Sequence, residues 1–200
     1  TERGEGEKRE ARGKLREAGI ALSRAVELDP RSAQAHNNLG IVHFDRKEFT
    51  EAAGHYRRAL AIKPDYAEAH NNLANALRML GKHDEALDEY QKALLLREDY
   101  PEAYNNLATV LREQRQLVEA EHAYRKAIEL RPAYLEPYGN LALLLAEDGR
   151  YDDALKVLGT VLDRSPRHVP TLVMVARVQH KAGRLDQAEQ ACRYALAAAP

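Results

Sequence analysis

The fold is decided by a stretch of the chain, residues 67–100, which reads AEAHNNLANALRMLGKHDEALDEYQKALLLREDY. Its first part, residues 67–80, combines good helix formers with apolar residues three and four positions apart, which predicts an amphipathic helix. Gly81 follows, as a glycine that ends a helix would. A second helix is expected to begin near Asp84 and Glu85, because acidic side chains suit the positive end of the helix dipole. The stretch therefore predicts two helices joined by a tight turn.

The same unit recurs along the chain with a period of 34 residues, and residues that occupy equivalent positions form columns. The recurring residues are the prolines Pro30, Pro64, Pro132, Pro166 and Pro200, with Glu98 in the one gap; the alanines Ala18, Ala52, Ala86, Ala120, Ala154 and Ala188; and the glycines Gly13, Gly81, Gly149 and Gly183, with Lys47 and Arg115 in two gaps. Small residues let helices approach closely, and a proline ends the second helix of each unit. We predict an all-α fold in which helix pairs stack on one another.

The period also divides the chain. The predicted full repeats span residues 33–66, 67–100, 101–134 and 135–168, followed by a last repeat at 169–200 and preceded by a partial repeat at 13–32 and a polar segment at 1–12. The polar segment lacks the apolar residues of a first helix, so we expect it to be disordered. The last repeat is not followed by a polar capping helix, and its segment 194–199 is expected to leave an apolar face open. Self-association, or packing against a further part of a longer protein, would cover that face.

The motif identifies a family. A two-helix unit of 34 residues with a Leu-Gly or Leu-Ala pair, followed by Gly, Ala, Tyr, Ala and Pro, resembles the tetratricopeptide repeat. The resemblance covers residues 13–200. It implies a right-handed α-solenoid whose first helices line a concave groove and whose second helices form the convex side. It also implies a partner that is a protein or a peptide.

Charge and composition exclude several function classes. Lys and Arg number 30 against 31 Asp and Glu, which leaves a net charge of −1 and disfavours partners such as nucleic acid or an anionic membrane. The longest apolar run, 141–146, is far too short to span a bilayer. One cysteine, Cys192, rules out an internal disulfide and a multi-cysteine metal site. These features favour the cytoplasm.

Histidines are present without a metal-binding pattern. His36 and His70 occupy one column, and the later repeats place Tyr104, Tyr138 and Leu172 there. A position that accepts all three residue types indicates packing, and no histidine has the spacing of a ligand set. We therefore predict no metal site and no cofactor.

The single cysteine belongs to a column of large side chains. Tyr56, Tyr90 and Tyr124 occupy the equivalent positions in earlier repeats, where they are expected to fill the space between closely packed helices. We therefore predict that Cys192 is a buried packing residue and not a reactive thiol. No nucleophile motif occurs elsewhere, and the chain is predicted to be non-catalytic.

Asparagines stand out, because all of them fall in predicted first helices, where each costs about half a kcal/mol relative to alanine. We call one set the column asparagines; these are Asn38, Asn72, Asn106 and Asn140. Three others directly precede a column asparagine; these are Asn37, Asn71 and Asn105. The last, Asn75, lies about one helical turn after Asn71 and Asn72. The segments AHNNLG, AHNNLA and AYNNLA are similar to repeats of the O-linked N-acetylglucosamine transferase family. That resemblance implies that the column asparagines line the groove and hold a peptide backbone.

Two interpretations of the column asparagines stay open. An amide can donate to and accept from any peptide group, so the column suits a ligand that is extended and sequence-tolerant. With repeats about 10 Å apart and extended residues about 3.3 Å long, four positions would hold roughly nine to twelve residues. Alternatively, the asparagines serve the framework of the repeat itself.

In the last repeat, Val173 and Met174 replace the two asparagines. They form either a hydrophobic anchor pocket at the end of the groove or an interface with a following part of the protein. For the whole chain, we predict a protein-interaction module that binds an extended peptide. The alternatives are the substrate-recruiting arm of a larger enzyme, such as a glycosyltransferase or sulfotransferase, and a self-assembling scaffold.

Overall fold

The computed structural model describes the backbone of residues 2–199 and the side chains of residues 13–199. Within this range the chain is helical and contains no strand, which confirms the all-α prediction. The helices are α1 (Glu2–Leu28), α2 (Ala33–Asp45), α3 (Phe49–Ile62), α4 (Ala67–Met79), α5 (His83–Leu96), α6 (Pro101–Glu113), α7 (Leu117–Leu130), α8 (Glu136–Glu147), α9 (Tyr151–Arg164), α10 (Val169–Lys181) and α11 (Leu185–Ala198).

The helices belong to two compact units, whose boundary falls between Glu98 and Asp99. In unit 1, helices α2 and α3 form one pair, α4 and α5 form the next, and α3 contacts α4. In unit 2, the pairs are α6 with α7, α8 with α9 and α10 with α11, and each pair contacts the first helix of the next. Each unit is thus a stack of helix pairs, the α-solenoid arrangement that the period predicts.

The recurring small residues lie where the helices of a stack approach each other. The alanines Ala52, Ala86, Ala120 and Ala154 are completely buried. The tyrosines of the neighbouring column, Tyr56, Tyr90 and Tyr124, are also buried, with at most 2% of their surface exposed. This confirms the predicted packing, in which small side chains permit close approach of the helices and tyrosines fill the remaining space.

The first helix, α1, begins at Glu2 and continues without a break to Leu28. The side chains of residues 2–12 lie outside the described part of the chain. The division into a disordered polar segment, 1–12, and a repeat region, 13–200, remains a prediction.

Each turn inside a helix pair contains one residue with positive φ. Gly81, Gly149 and Gly183 adopt φ values of 73°, 78° and 74°, and Lys47 and Arg115 adopt 64° and 65° in the same column. Glycine tolerates this left-handed conformation, whereas a residue with a Cβ is strained in it. The backbone of the repeat is therefore retained even where the glycine is not.

Replacing the strained residues by glycine is expected to stabilise the fold. Lys47→Gly and Arg115→Gly should each raise the free energy of unfolding by about 0.5–1 kcal/mol, because relief of strain outweighs the extra freedom of glycine in the unfolded chain. Both side chains are exposed, so little packing is lost. Urea unfolding followed by circular dichroism checks this, and a loss of stability in both variants would contradict it.

One prediction about the core is wrong. Cys192 is exposed, although its column holds buried tyrosines in earlier repeats. Tyr90 and Tyr124 reach the first helix of their own repeat, where their hydroxyls meet Asn75 and Thr109, whereas Cys192, with its short side chain, lines an open cavity on α10 and α11. Also on α11, Leu185, Tyr194 and Leu196 are more than half exposed, at 62%, 60% and 77%.

Candidate functional site

The asparagines of neighbouring first helices are hydrogen-bonded in pairs. In unit 1, Asn72 donates from Nδ2 to Oδ1 of Asn37 over 3.1 Å. In unit 2, Asn140 donates in the same way to Asn105 over 2.9 Å. Asn37 and Asn105 are buried, with 4% and 1% of their surface exposed, so each pair satisfies a buried carbonyl oxygen. Within each unit, this contact joins one repeat to the next, which shows a framework contribution of the asparagines.

Three of the column asparagines are less buried than the asparagines that precede them. Asn38, Asn72, Asn106 and Asn140 are all half-buried. A primary amide has two N–H groups and an oxygen with two lone pairs. The bond from Asn140 to Asn105 uses one N–H, which leaves one donor and the carbonyl oxygen. Pairing with the buried residue also fixes which way the amide points.

Asn38 and Asn72 differ in their surroundings. Within the described residues, Asn38 has no side-chain hydrogen bond. Asn72 bonds to Asn37, and its own oxygen lies 3.5 Å from Nδ2 of Asn71. The column therefore contains one position, Asn38, at which a substitution leaves the framework intact.

This difference predicts unequal effects on stability. Asn72→Ala is expected to cost about 1–3 kcal/mol, because it leaves the buried oxygen of Asn37 without its donor. Asn38→Ala should change the free energy of unfolding by less than about 0.5 kcal/mol. Chemical denaturation of both variants checks this, and equal losses would show that the amide pair does not hold the repeats together.

Asn75 has a different environment from the other asparagines. Its Oδ1 accepts a hydrogen bond of 2.5 Å from the hydroxyl of Tyr90, which is completely buried. One repeat later, Thr109 is 3.1 Å from the hydroxyl of Tyr124. Polar residues at this column thus provide partners for buried tyrosine hydroxyls. Sequence reasoning missed this role, although the alternation of Asn and Thr opposite successive tyrosines signals it.

Val173 and Met174 lie in different places. Val173 is 46% exposed and lines a cavity of about 480 Å³ on the face formed by α10 and α11. Met174 instead contacts α8, where a Cβ added to Gly139 would lie 3.4 Å from its Sδ. Gly139 and Met174 thus occupy the positions of a hydrogen-bonded asparagine pair, and an apolar contact replaces the amide bond. The two residues do not form one anchor.

A polar network surrounds Glu136 at the start of α8. Tyr134 donates from its hydroxyl to Oε2 over 3.0 Å, and Nδ2 of Asn105 donates to Oε1 over 3.1 Å. Burial, followed by the charge of Glu136, raises the pKa of the Tyr134 hydroxyl, so this group remains a donor. The carboxylate therefore has two neutral donors on one side.

The histidine column lies in the core, as a packing position should. His36 and His70 are 4% and 9% exposed. Nε2 of His70 is 2.9 Å from the carbonyl oxygen of Pro64, and the hydroxyl of Tyr138 donates to Pro132 over 3.2 Å. At these two positions the side chain joins the first helix to the turn before it, which explains why histidine and tyrosine both fit.

The described part of the chain contains neither a metal-binding cluster nor a membrane-spanning helix. Among these residues, no group of three or more His, Cys, Asp and Glu side chains is arranged to hold a metal ion. None of the helices described between residues 2 and 199 combines the length and apolarity needed to cross a membrane.

Comparison with known proteins returns one family and one fold. Models described as Tetratricopeptide repeat match residues 4–67, 65–133, 111–159 and 145–200. The crystal structure of PilW, a type IV pilus biogenesis factor, superimposes with a TM-score of 0.83 at 23% identity, covering 94% of this chain and 87% of that chain. A tetratricopeptide repeat protein from Parabacteroides merdae gives 0.79 at 20% identity, covering 95% and 75%. YrrB gives 0.67 at 23% identity, covering 92% and 94%. A search of curated protein sequences finds no match.

Proposed function

Because the chain belongs to the tetratricopeptide repeat family, we propose that it is a non-catalytic interaction module that binds an extended peptide through its column asparagines. The observation that carries the proposal is the amide geometry of the first helices. Asn140 is half-buried, is oriented by the buried Asn105, and retains one donor and one acceptor. A peptide group offers the complementary pair.

The same arrangement recurs in unit 1, where Asn37 orients Asn72. In both units the buried asparagine acts as a positioning residue and the column asparagine as the group that contacts the ligand. This division reconciles the two interpretations of the asparagines, since the framework bonds use only part of each amide. YrrB, one of the structurally similar proteins, is a tetratricopeptide repeat protein with an unusual peptide-binding site.

The geometry constrains the ligand. Each column residue would meet a peptide group about every three residues of an extended chain. Contacts to the backbone do not discriminate among side chains, so the ligand is extended and tolerant of substitution at most positions. A ligand that binds as a helix would satisfy its own backbone groups and leave the column amides unused.

Display of random twelve-residue peptides tests the proposal. The wild type and the quadruple variant Asn38→Ala, Asn72→Ala, Asn106→Ala, Asn140→Ala are screened in parallel, and thermal melts establish that both are folded. We expect peptides that bind the wild type at least tenfold more tightly than the variant. Asn38→Ala provides a second comparison, because it should weaken binding without loss of stability. Equal binding by the folded quadruple variant would refute a role of the column.

A second proposed interaction rests on the face of α10 and α11. Its cavity of about 480 Å³ includes Val173, Leu185 and Cys192, and Leu185 is 62% exposed. We propose that this face mediates self-association. Sedimentation velocity over a range of concentrations should show a dimer that Leu185→Asp abolishes, and a monomer at high concentration would eliminate this proposal.

A further inference from the structure

An ion pair recurs between the start of a first helix and the end of the second helix in the same repeat. Arg97 donates to Glu68 over 2.6 Å, and Arg131 pairs with Glu102 in the next repeat. Both pairs are 29 residues apart in sequence. In each case the arginine neutralises the glutamate in the first turn of the first helix. The same contact thus occurs in two repeats, at equivalent positions.

The next repeat lacks the cation. Glu136 follows Glu102 by one period, and the position that would supply its arginine is Ser165. Among the described residues, no lysine, arginine or histidine nitrogen lies within ion-pair distance of the Glu136 carboxylate. Its partners are the neutral donors of Asn105 and Tyr134. Among the described residues, Glu136 is therefore an exposed carboxylate without the ion-pair partner that Glu68 and Glu102 have.

A cavity of about 270 Å³ lies beside this carboxylate, within unit 2. Its apolar walls are formed by Leu135, Leu158 and Met174, and Gly139 lines it as well. The absence of a side chain at Gly139 leaves room that an asparagine occupies in earlier repeats. The histidine at its edge, His168, is bonded through Nδ1 to the hydroxyl of Thr171 over 2.7 Å. The cavity thus combines apolar walls with one exposed carboxylate that has no ion-pair partner among the described residues.

These features fit a long side chain with an apolar stem and a cationic end. We infer that the cavity binds a lysine or arginine side chain of the peptide ligand. The stem packs on Leu158 and Met174, and the cation reaches Glu136 in the role that Arg97 and Arg131 fulfil within their own repeats. Asn140, which also lines the cavity, holds the backbone next to this residue. The inference rests on the proposed function and adds one side-chain preference to it.

The repeat itself provides a sharp test. Ser165→Arg introduces at Glu136 the ion pair that Glu68 and Glu102 have in their own repeats. This variant should therefore fold normally while its new arginine neutralises Glu136. Glu136→Gln removes the charge and keeps the shape. Glu119→Gln is the matched control, because it removes one exposed negative charge from α7, which does not line the cavity. Thermal melts of each variant confirm the fold.

Each protein is screened against the same random twelve-residue display library. We expect the wild type and Glu119→Gln to enrich lysine or arginine at one position, and Glu136→Gln and Ser165→Arg to lose this enrichment. A selected peptide in which norleucine replaces that lysine should bind the wild type about tenfold more weakly, which corresponds to about 1.4 kcal/mol. The same replacement should change binding to Glu136→Gln by less than twofold.

The outcomes separate the two proposals. Peptides that bind through the column asparagines without a basic preference would overturn the cavity inference and leave the proposed function standing. Retention of the basic preference in Ser165→Arg would also overturn it. A failure of the folded wild type to select any peptide would overturn both.

Discussion

Tyr124→Ala is expected to destabilise unit 2 by about 3–5 kcal/mol, the usual cost of removing a fully buried aromatic side chain. Tyr124 has no exposed surface, and its hydroxyl lies 3.1 Å from Thr109. It fills the space between helices that the buried alanine Ala120 brings close together. The substitution leaves a cavity that the stacked helices cannot close without losing their other contacts.

Tyr194→Ala is the matched control for this prediction. Tyr194 lies on α11 and is 60% exposed, so its removal should change the free energy of unfolding by less than about 1 kcal/mol. Urea titration monitored by helical circular dichroism measures both variants. Losses of equal size would contradict the burial that the structure assigns to the tyrosine column.

Acidification from pH 7 to pH 4 is expected to destabilise unit 1 through His55. Its ring stacks against those of His43 and His36, with centroid distances of 5.1 and 5.6 Å. Burial, followed by the charges of His43, His36 and Arg58 in that order, lowers the pKa of His55 from 6.5 to about 4. The unfolded chain therefore binds a proton at a higher pH than the folded chain does.

The sign of the effect follows from this difference. Stability is fully present above pH 6.5 and is lost as the pH falls toward 4, because protonation then favours the unfolded state. The partial exposure of His55 reduces the effect, and we expect a loss of roughly 1–3 kcal/mol. Glu48, whose carboxylate is 2.6 Å from Nδ1 of His43, is the acidic residue in contact with the stack.

His55→Gln should flatten the pH dependence. Thermal melts at pH 7, 5.5 and 4.5 compare this variant with the wild type and with His122→Gln, which alters a histidine of α7 in unit 2. The wild type and the control should lose stability in parallel over this range, and the His55 variant should lose less. Identical profiles for all three proteins would contradict the assignment.

The helices themselves could be predicted because the period repeats their stop and start signals. The expected first helix, 67–80, corresponds to α4 (Ala67–Met79), and the expected start near Asp84 corresponds to α5, which begins at His83. The glycine column located the turns even where Lys47 and Arg115 interrupt it, since both adopt the same positive φ. Helix ends and turns depend on steric effects between residues close in sequence, so they can be predicted from the residue types at each position.

The roles of the individual asparagines could not be predicted. All of them lie in the first helix of a repeat, yet their partners differ. Asn105 is buried beneath Asn140, and Asn75 bonds to Tyr90. These pairings depend on which side chains meet across neighbouring helices. The prediction for Cys192 failed for a related reason: a shared position in the repeat does not give a short side chain the contacts that the tyrosines make across to the first helix.

Methylation of the ligand backbone tests whether the column asparagines recognise peptide groups. A peptide selected by display is resynthesised with a single N-methyl group at each amide in turn, and its affinity for the wild type is measured by calorimetry. We expect losses of tenfold or more at amides spaced about three residues apart. Alanine substitutions outside the basic position should cost less than threefold. Binding that tolerates every methyl group but fails on alanine substitution would show that side chains alone are recognised.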